Sequence, residues 1–189
     1  MSVPTKLSVL LSEVPRSREV LGRIEGYYDE YSQSAVDPAA PTRENAIVVA
    51  EILVNYYTCL ETVFLRISQF FENTLDRERW HQDLLDKMLL EIEGVRPHVL
   101  SEAAHAALRE LMRFRHFRRC DEAISGGQRP AAASPAGPAP GATELEFDHD
   151  WERLEFLQRK LAAVRPQVTG DLDRFTAALR AAAREQGTR

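Results

Sequence analysis

One short stretch of the chain concentrates side chains that could act on a phosphate. Residues 109–120 contain one histidine and five arginines, in a protein whose formal net charge is -5. The arginines are Arg109, Arg113, Arg115, Arg118 and Arg119, and the histidine is His116. Guanidinium groups bind phosphate oxygens through paired hydrogen bonds, and an imidazole can transfer protons near neutral pH. If the protein acts on a phosphate or binds RNA, this stretch is where the sequence places that function.

The sequence leaves three interpretations of these arginines open. They could form a solvated helix face with salt bridges to glutamates, a patch that contacts RNA phosphates, or a contact with an acidic partner protein. Like charges on adjacent helical turns repel one another, which mildly favours an anionic ligand. Phe114 and Phe117 lie between the arginines and could stack on bases, although core packing explains them more simply.

Composition sets limits on the function. A chain of 189 residues predicts one domain, and its 44% apolar and 28% charged residues are ordinary for a globular protein. The acidic total argues against general nucleic-acid binding, so any RNA contact must rest on a local patch. Cys59 and Cys120 are far apart, which predicts neither a disulfide framework nor a zinc site and fits a cytoplasmic protein. We expect no signal peptide, membrane span, metal or cofactor.

Helical periodicity covers most of the chain and predicts an all-α fold, an up-and-down antiparallel bundle of about five helices. The predicted helices span 5–33, 42–73, 77–91, 102–122 and 149–186. Thr42, Asp76 and Ser101 are their predicted N-caps. Pro15 either kinks the first helix or starts a second one, and Pro166 kinks or divides the last one.

Residues 125–143 differ abruptly in composition from the rest, because proline, alanine and glycine dominate and large apolar residues are absent. Such a segment cannot bury enough surface to offset its ordering entropy, so we expect a flexible low-complexity loop. The segment that follows is strongly amphipathic and too short to fold alone. The loop is therefore an insertion within a single domain spanning 1–189.

The second predicted helix is apolar over a broad arc, from Ile47 to Phe71. A helix of this kind either lies at the centre of the fold or is covered on a second side by another chain. We therefore expect a homodimer. Gly22 and Gly26 in the first helix would permit the close approach of a partner helix.

Four segments, in order along the chain, resemble the HepT-like branch of the HEPN superfamily. They are NYYTCLETVF at 55–64, ERWHQDLLDKM at 78–88, VRPHVLS at 95–101 and RFRHF at 113–117. HepT-like proteins are helical bacterial proteins that are often encoded beside a minimal nucleotidyltransferase as a toxin–antitoxin pair. The resemblance implies a homodimer, a nucleotidyltransferase antitoxin as partner, RNA as ligand, and a metal-independent endoribonuclease activity.

HEPN ribonucleases resemble one another in an Arg-x(4–6)-His motif at a helix end, and the resemblance places Arg115 at the motif arginine. That residue would hold the scissile phosphate while the RNA 2′-hydroxyl attacks. The position of the motif histidine is Cys120, and the position of a tyrosine that can accept a nucleotide is Glu122. A thiol is a poorer proton shuttle than imidazole, and glutamate cannot replace the tyrosine. Arg109 and His116 offer an alternative Arg-x6-His pair on one helix face.

Two functional hypotheses follow. In the first, the protein is a HepT-like RNA-binding protein whose ribonuclease activity is weak or lost. Arg115, His116 and the Cys120 position are then its catalytic candidates, and the remaining four arginines contact phosphates. In the second, the protein is a non-catalytic helical partner of a nucleotidyltransferase or of another protein. An orphan bundle with surface arginines is a third, simpler alternative.

Overall fold

Five helices make up most of the chain in the computed structural model, which describes residues 3–37, 40–71, 80–126 and 147–187. They are α1 (Val3–Ser34), α2 (Arg43–Phe71), α3 (Trp80–Lys87), α4 (Glu102–Gly126) and α5 (Phe147–Gly187). The only extended pairing in the described residues is an isolated bridge between Ile92 and Arg96. The predicted all-α bundle of about five helices is confirmed.

Helix α2 lies at the centre of the bundle and contacts each of the other four helices. Near its start, the Asn45 amide donates to the hydroxyl of Tyr31, and farther along the Cys59 thiol donates to the carbonyl of Ser17. The start of α2 therefore lies beside the end of α1, and a later part of α2 lies beside the middle of α1. The two helices are thus antiparallel. Buried side chains on α2 cover more than one face, as the broad apolar arc predicted.

Both internal prolines lie within continuous helices. Pro15 is inside α1 and Pro166 is inside α5, so neither divides its helix in two. A proline removes one backbone hydrogen bond, which destabilises an isolated helix. Val14 beside Pro15, and Val164 and Val168 on either side of Pro166, are all buried in the core. Packing of these neighbours offsets the lost bond.

Helix α3 is shorter than the predicted span of 77–91, and the predicted cap Asp76 lies outside the described residues. The helix ends at Lys87 because the next carbonyl, that of Met88, accepts hydrogen bonds from the backbone N–H groups of Val99 and Leu100. The chain between them turns back at Gly94, whose φ of 70° favours glycine.

Residues 125 and 126 of the predicted loop are the last residues of α4, so that helix extends beyond its predicted end. The remainder of the predicted loop, 127–143, lies outside the described residues.

Helix α2 is long and apolar enough to cross a membrane by length and composition alone. These criteria do not test the expectation of no membrane span, which stays a prediction. The core helix of a soluble protein meets them too, and 56% of the most apolar window of α2 is buried inside the bundle. The rest of that window is not buried by the part of the chain that the structure describes.

The start of α4 is held by a carboxylate from α5. Ser101 is the N-cap predicted from sequence, and its hydroxyl accepts a hydrogen bond from the backbone N–H of Ala104. The backbone N–H and the hydroxyl of Ser101 both donate to Oδ2 of Asp171, at 2.8 Å each. Gln167 and Arg174 donate to the other oxygen of this fully buried carboxylate. Burial alone would raise the pKa of Asp171, but these hydrogen bonds outweigh it and hold the pKa below its usual value.

Substitution of Asp171 is expected to destabilise the fold. Asp171→Ala leaves the Ser101 N–H and the Arg174 guanidinium without their acceptor, which should cost about 1–3 kcal/mol in urea unfolding. Because the folded-state pKa is lowered, the stabilisation is complete above the unfolded value of about 3.9 and is lost as the pH falls through the folded value. The difference from the wild type should therefore shrink in acid. Asp173→Asn, at an exposed ion pair with Arg18, is the matched control and should change little.

Candidate functional site

The side chains of Arg115 and His116 leave α4 in different directions. Consecutive residues on an α-helix differ by about 100° around its axis. Arg115 is 4% exposed and faces α2, whereas His116 is exposed on the outer surface. The two predicted catalytic candidates therefore do not share one surface in this structure.

Arg115 forms a buried ion pair that joins α4 to α2. Its Nη2 lies 2.8 Å from Oε2 of Glu61, and its Nε donates to the hydroxyl of Thr58 at 3.1 Å. The side chains of Arg115 and Glu61 are 5% and 6% exposed. The Arg115 guanidinium is thus engaged by a protein carboxylate and a hydroxyl.

Glu61 also contacts a histidine of α3. Its Oε1 forms a short hydrogen bond with Nδ1 of His81, whose side chain is partly exposed. The Trp80 indole contacts the His81 ring at a tilt of 32°, with centroids 3.6 Å apart. One carboxylate therefore holds a guanidinium and an imidazole, and so connects α2, α3 and α4.

A second carboxylate also connects α3 and α4. Asp86 Oδ1 lies 2.8 Å from Nε2 of His105 and 3.1 Å from Nη2 of Arg109. Arg109 is thus engaged with a carboxylate, as Arg115 is.

Tyr57 lies close to both groups of charges. Burial raises the pKa of its hydroxyl, and the negative charge of Glu61 adds to the shift while Arg115 opposes it.

The outward side of α4 carries cationic and aromatic groups, which we call the α4 edge. Arg113 is 61% exposed by side chain and pairs with Glu110 at 2.9 Å. His116 is exposed, and Arg118 is partly exposed. Phe117 is 40% exposed, and the guanidinium of Arg153 from α5 lies 5.0 Å from its ring centroid. The α4 edge consists of Arg113, His116, Phe117, Arg118 and Arg153.

For two residues of the predicted site, only the place in the helix is described and not the side chain. Arg119 and Cys120 belong to α4, but their side chains lie outside what the structure describes. Phe114, a second candidate for base stacking, is buried in the core, as the simpler interpretation predicted. Among the described residues, no group of three or more His, Cys, Asp or Glu side chains could hold a metal ion.

The carboxylates Glu61 and Asp86 were not among the residues predicted for the site. Glu61 is a buried carboxylate within the otherwise apolar run of α2, and this mismatch is a signal that the sequence does contain. Asp86 carries no such signal, because it lies on a half-exposed face of α3. His81 and His105 were not grouped with the arginines, since their partners are known only once the helices have packed.

The architecture and the site together define a helical bundle whose cationic fourth helix is joined to α2 and α3 by carboxylates. Residues 48–122, which include most of α2, all of α3 and most of α4, match the family model described as HepT-like protein. No curated protein and no solved structure matches this chain. The resemblance to HepT-like proteins is confirmed over these residues, which is consistent with a HepT-like domain of the HEPN superfamily.

The Glu61–Arg115 pair should be costly to break from one side. Glu61→Leu leaves the Arg115 charge buried without its carboxylate and should reduce the free energy of unfolding by about 3–5 kcal/mol. The double variant Glu61→Leu/Arg115→Met removes both charges and should lose less than the single variant. Glu110→Gln, which breaks the exposed pair with Arg113, should change stability by about 0.5 kcal/mol or less. Urea unfolding of the variants measures these differences in the free energy of unfolding. A double variant less stable than Glu61→Leu would contradict the expected cost of the unpaired Arg115 charge.

Proposed function

We propose that this protein binds RNA through the α4 edge, as a cytoplasmic HepT-like protein related to the ribonuclease toxins of toxin–antitoxin systems. The observation that carries the proposal is the exposed set of cationic groups on α4. This set lies within the segment that matches the family model, on a chain whose net charge is -5. A local positive surface on an acidic protein favours a specific anionic ligand over general binding to polyanions.

The chemistry of the α4 edge suits single-stranded RNA. Arg113 and Arg118 supply guanidinium groups for phosphate oxygens. Phe117 offers an exposed aromatic face, and Arg153 lies over that ring. Aromatic rings and guanidinium planes are the groups on which unpaired bases stack, and they do so with little regard to sequence. The edge therefore favours contacts to RNA phosphates and base faces over the reading of a particular base sequence.

Cleavage of that RNA would need more than the described arrangement offers. In the family motif, Arg115 would hold the scissile phosphate, and here it is engaged by Glu61. The position of the motif histidine carries Cys120. We therefore propose that the metal-independent endoribonuclease activity of the family is strongly reduced in this protein, while RNA binding through the α4 edge is kept.

Substitutions on the α4 edge should weaken RNA binding and reduce its dependence on salt. Arg113→Ala and Arg118→Ala should each reduce the slope of log affinity against log salt concentration by about 1, because each removes one phosphate contact. Fluorescence anisotropy with a labelled single-stranded RNA measures both effects. The control is Arg180→Ala, an exposed arginine near the other end of α5, which should leave the slope unchanged. Equal effects of all three substitutions would contradict a local site.

Restoring the motif histidine should restore only part of the cleavage activity. A positioned general acid or base typically contributes 10²–10⁴-fold, and because Arg115 stays engaged by Glu61, Cys120→His should reach the lower end of that range, about a hundredfold. The assay uses total RNA in EDTA, so that metal-dependent nucleases are silent. Cys59→His, at the other cysteine, is the matched control. If wild type already cleaves and His116→Ala abolishes the activity, the alternative Arg109–His116 pair is the working one.

A second function is favoured by the engagement of Arg115 with Glu61 and by the replacement of both motif positions. Under this alternative the bundle is a non-catalytic partner that docks a nucleotidyltransferase or another protein. A nucleotidyltransferase gene beside this one, and co-purification of the two products, would support it. If every α4-edge variant still binds RNA as well as wild type does, and if the two gene products co-purify, this alternative replaces the first proposal.

A further inference from the structure

The partly exposed imidazole of His81 is held by a buried carboxylate. Its Nδ1 forms the short hydrogen bond with Oε1 of Glu61, whose side chain is 6% exposed, whereas 29% of the His81 side chain is exposed. The other oxygen of Glu61 pairs with Arg115, so turning the carboxylate away from the ring would break a buried ion pair. Nε2 of His81 forms no hydrogen bond within the part of the chain that the structure describes.

The carboxylate determines which ring nitrogen carries the proton. An ionised carboxylate only accepts hydrogen bonds, so in the neutral ring Nδ1 donates to Glu61 and Nε2 keeps its lone pair. That lone pair is then available to take a proton from a bound molecule. An imidazole oriented by a buried carboxylate is the arrangement with which unrelated enzymes activate a hydroxyl group.

His81 lies at the same level of the bundle as the cationic part of α4. Asp86 pairs with Arg109, and His81 shares a carboxylate with Arg115, so α3 and α4 run in opposite directions. At about 1.5 Å per residue, His81 is about 7.5 Å from Asp86 along α3, and Arg115 is about 9 Å from Arg109 along α4. His81 is therefore level with Arg115, and so with its neighbours on the α4 edge.

Trp80 offers a surface for a base beside this imidazole. The residue is partly exposed, and the centroid of its ring lies 3.6 Å from that of His81. Unpaired bases stack on aromatic side chains with little regard to sequence. A nucleotide whose base contacts Trp80 therefore brings its ribose within reach of His81.

We propose that His81 is the general base of the RNA cleavage that this protein retains, and that Glu61 is its positioning residue. The inference rests on the proposed function, because it requires RNA bound at the α4 edge. Nε2 of His81 takes the proton from a 2′-hydroxyl, the 2′-oxygen attacks the adjacent phosphorus, and the bond between phosphorus and the 5′-oxygen breaks. The products are a 2′,3′-cyclic phosphate and a 5′-oxygen that takes its proton from water. His81 then releases its own proton to water.

The group that is missing is therefore the acid and not the base. Cys120 stands at the position of the motif histidine, and a thiol is a poor proton donor to a leaving oxygen. An alkoxide leaves slowly when no acid protonates it, which agrees with a strongly reduced activity on ordinary RNA. A leaving group that is stable as an anion needs no acid, so its departure depends on the base alone.

The first test uses an RNA in which sulfur replaces one 5′-oxygen, because a thiolate leaves without being protonated. In EDTA, and after subtraction of the rate without protein, His81→Asn should cleave this linkage about 10²–10⁴-fold more slowly than wild type. The asparagine amide still donates to Glu61, so the melting temperature should stay near that of wild type. His98→Asn, at a partly exposed histidine outside the helices, is the matched control and should cleave as wild type does.

Fluorescence anisotropy with the same RNA separates this inference from the proposed function. Wild type and His81→Asn should bind the RNA equally. If both bind it and cleave it at the same rate, or if wild type binds it and does not cleave it, His81 is not the base and RNA binding stands. If wild type does not bind the RNA, the proposed function fails, and the inference fails with it.

The positioning role of Glu61 is read from the ring nitrogens of His81. Nitrogen NMR of an isotope-labelled sample, assigned by comparison with His81→Asn, should show the proton of the neutral ring on Nδ1. The double variant Glu61→Leu/Arg115→Met removes the carboxylate without leaving a buried guanidinium unpaired. Its His81 should lose the preference for a proton on Nδ1, and cleavage of the sulfur-containing linkage should fall. A wild-type proton on Nε2, or unchanged cleavage by the double variant, overturns the role of Glu61.

Discussion

The carboxylate of Glu61 is the charge around which α2, α3 and α4 are arranged. It is almost fully buried, and it holds Arg115 through one oxygen and His81 through the other. Burying a carboxylate is expensive unless it is paired and hydrogen-bonded. Any shift of α4 along α2 would separate Arg115 from Glu61 and Thr58 together. The pair therefore fixes the register of the two helices more sharply than apolar side chains alone would, because aliphatic groups tolerate small displacements.

Neighbouring residues of α4 therefore have different roles. Arg115 secures the helix to the centre of the bundle, while Arg113 and His116 face outward. Under the proposal that Arg115 stands at the motif arginine, its structural use and the cysteine at the motif histidine position are consistent with each other.

Much of the fold could be predicted from sequence because it depends on local periodicity. The buried stripe of α5, from Trp151 to Leu179, follows helical spacing along its whole length. The caps at Thr42 and Ser101 are also local, since Thr42 and Asn45 each accept a hydrogen bond from the backbone N–H of the other. What could not be predicted is long-range. Nothing near Glu61 in sequence indicates Arg115, and nothing near Ser101 indicates Asp171. The direction in which each arginine of the cluster points likewise depends on which face of α4 meets α2.

Asp171 has a consequence for how freely the chain between α4 and α5 can vary. The pairing of these helices is defined at one end by Ser101 with Asp171, and at the other by Arg153 over Phe114. Both contacts lie outside the connecting segment, so that segment does not determine how the helices align. The entropy of closing a loop grows only slowly with its length, by about 0.6 kcal/mol for each doubling. Length changes in this segment should therefore change the stability of the bundle only slightly. The segment should thus tolerate insertions and sequence variation.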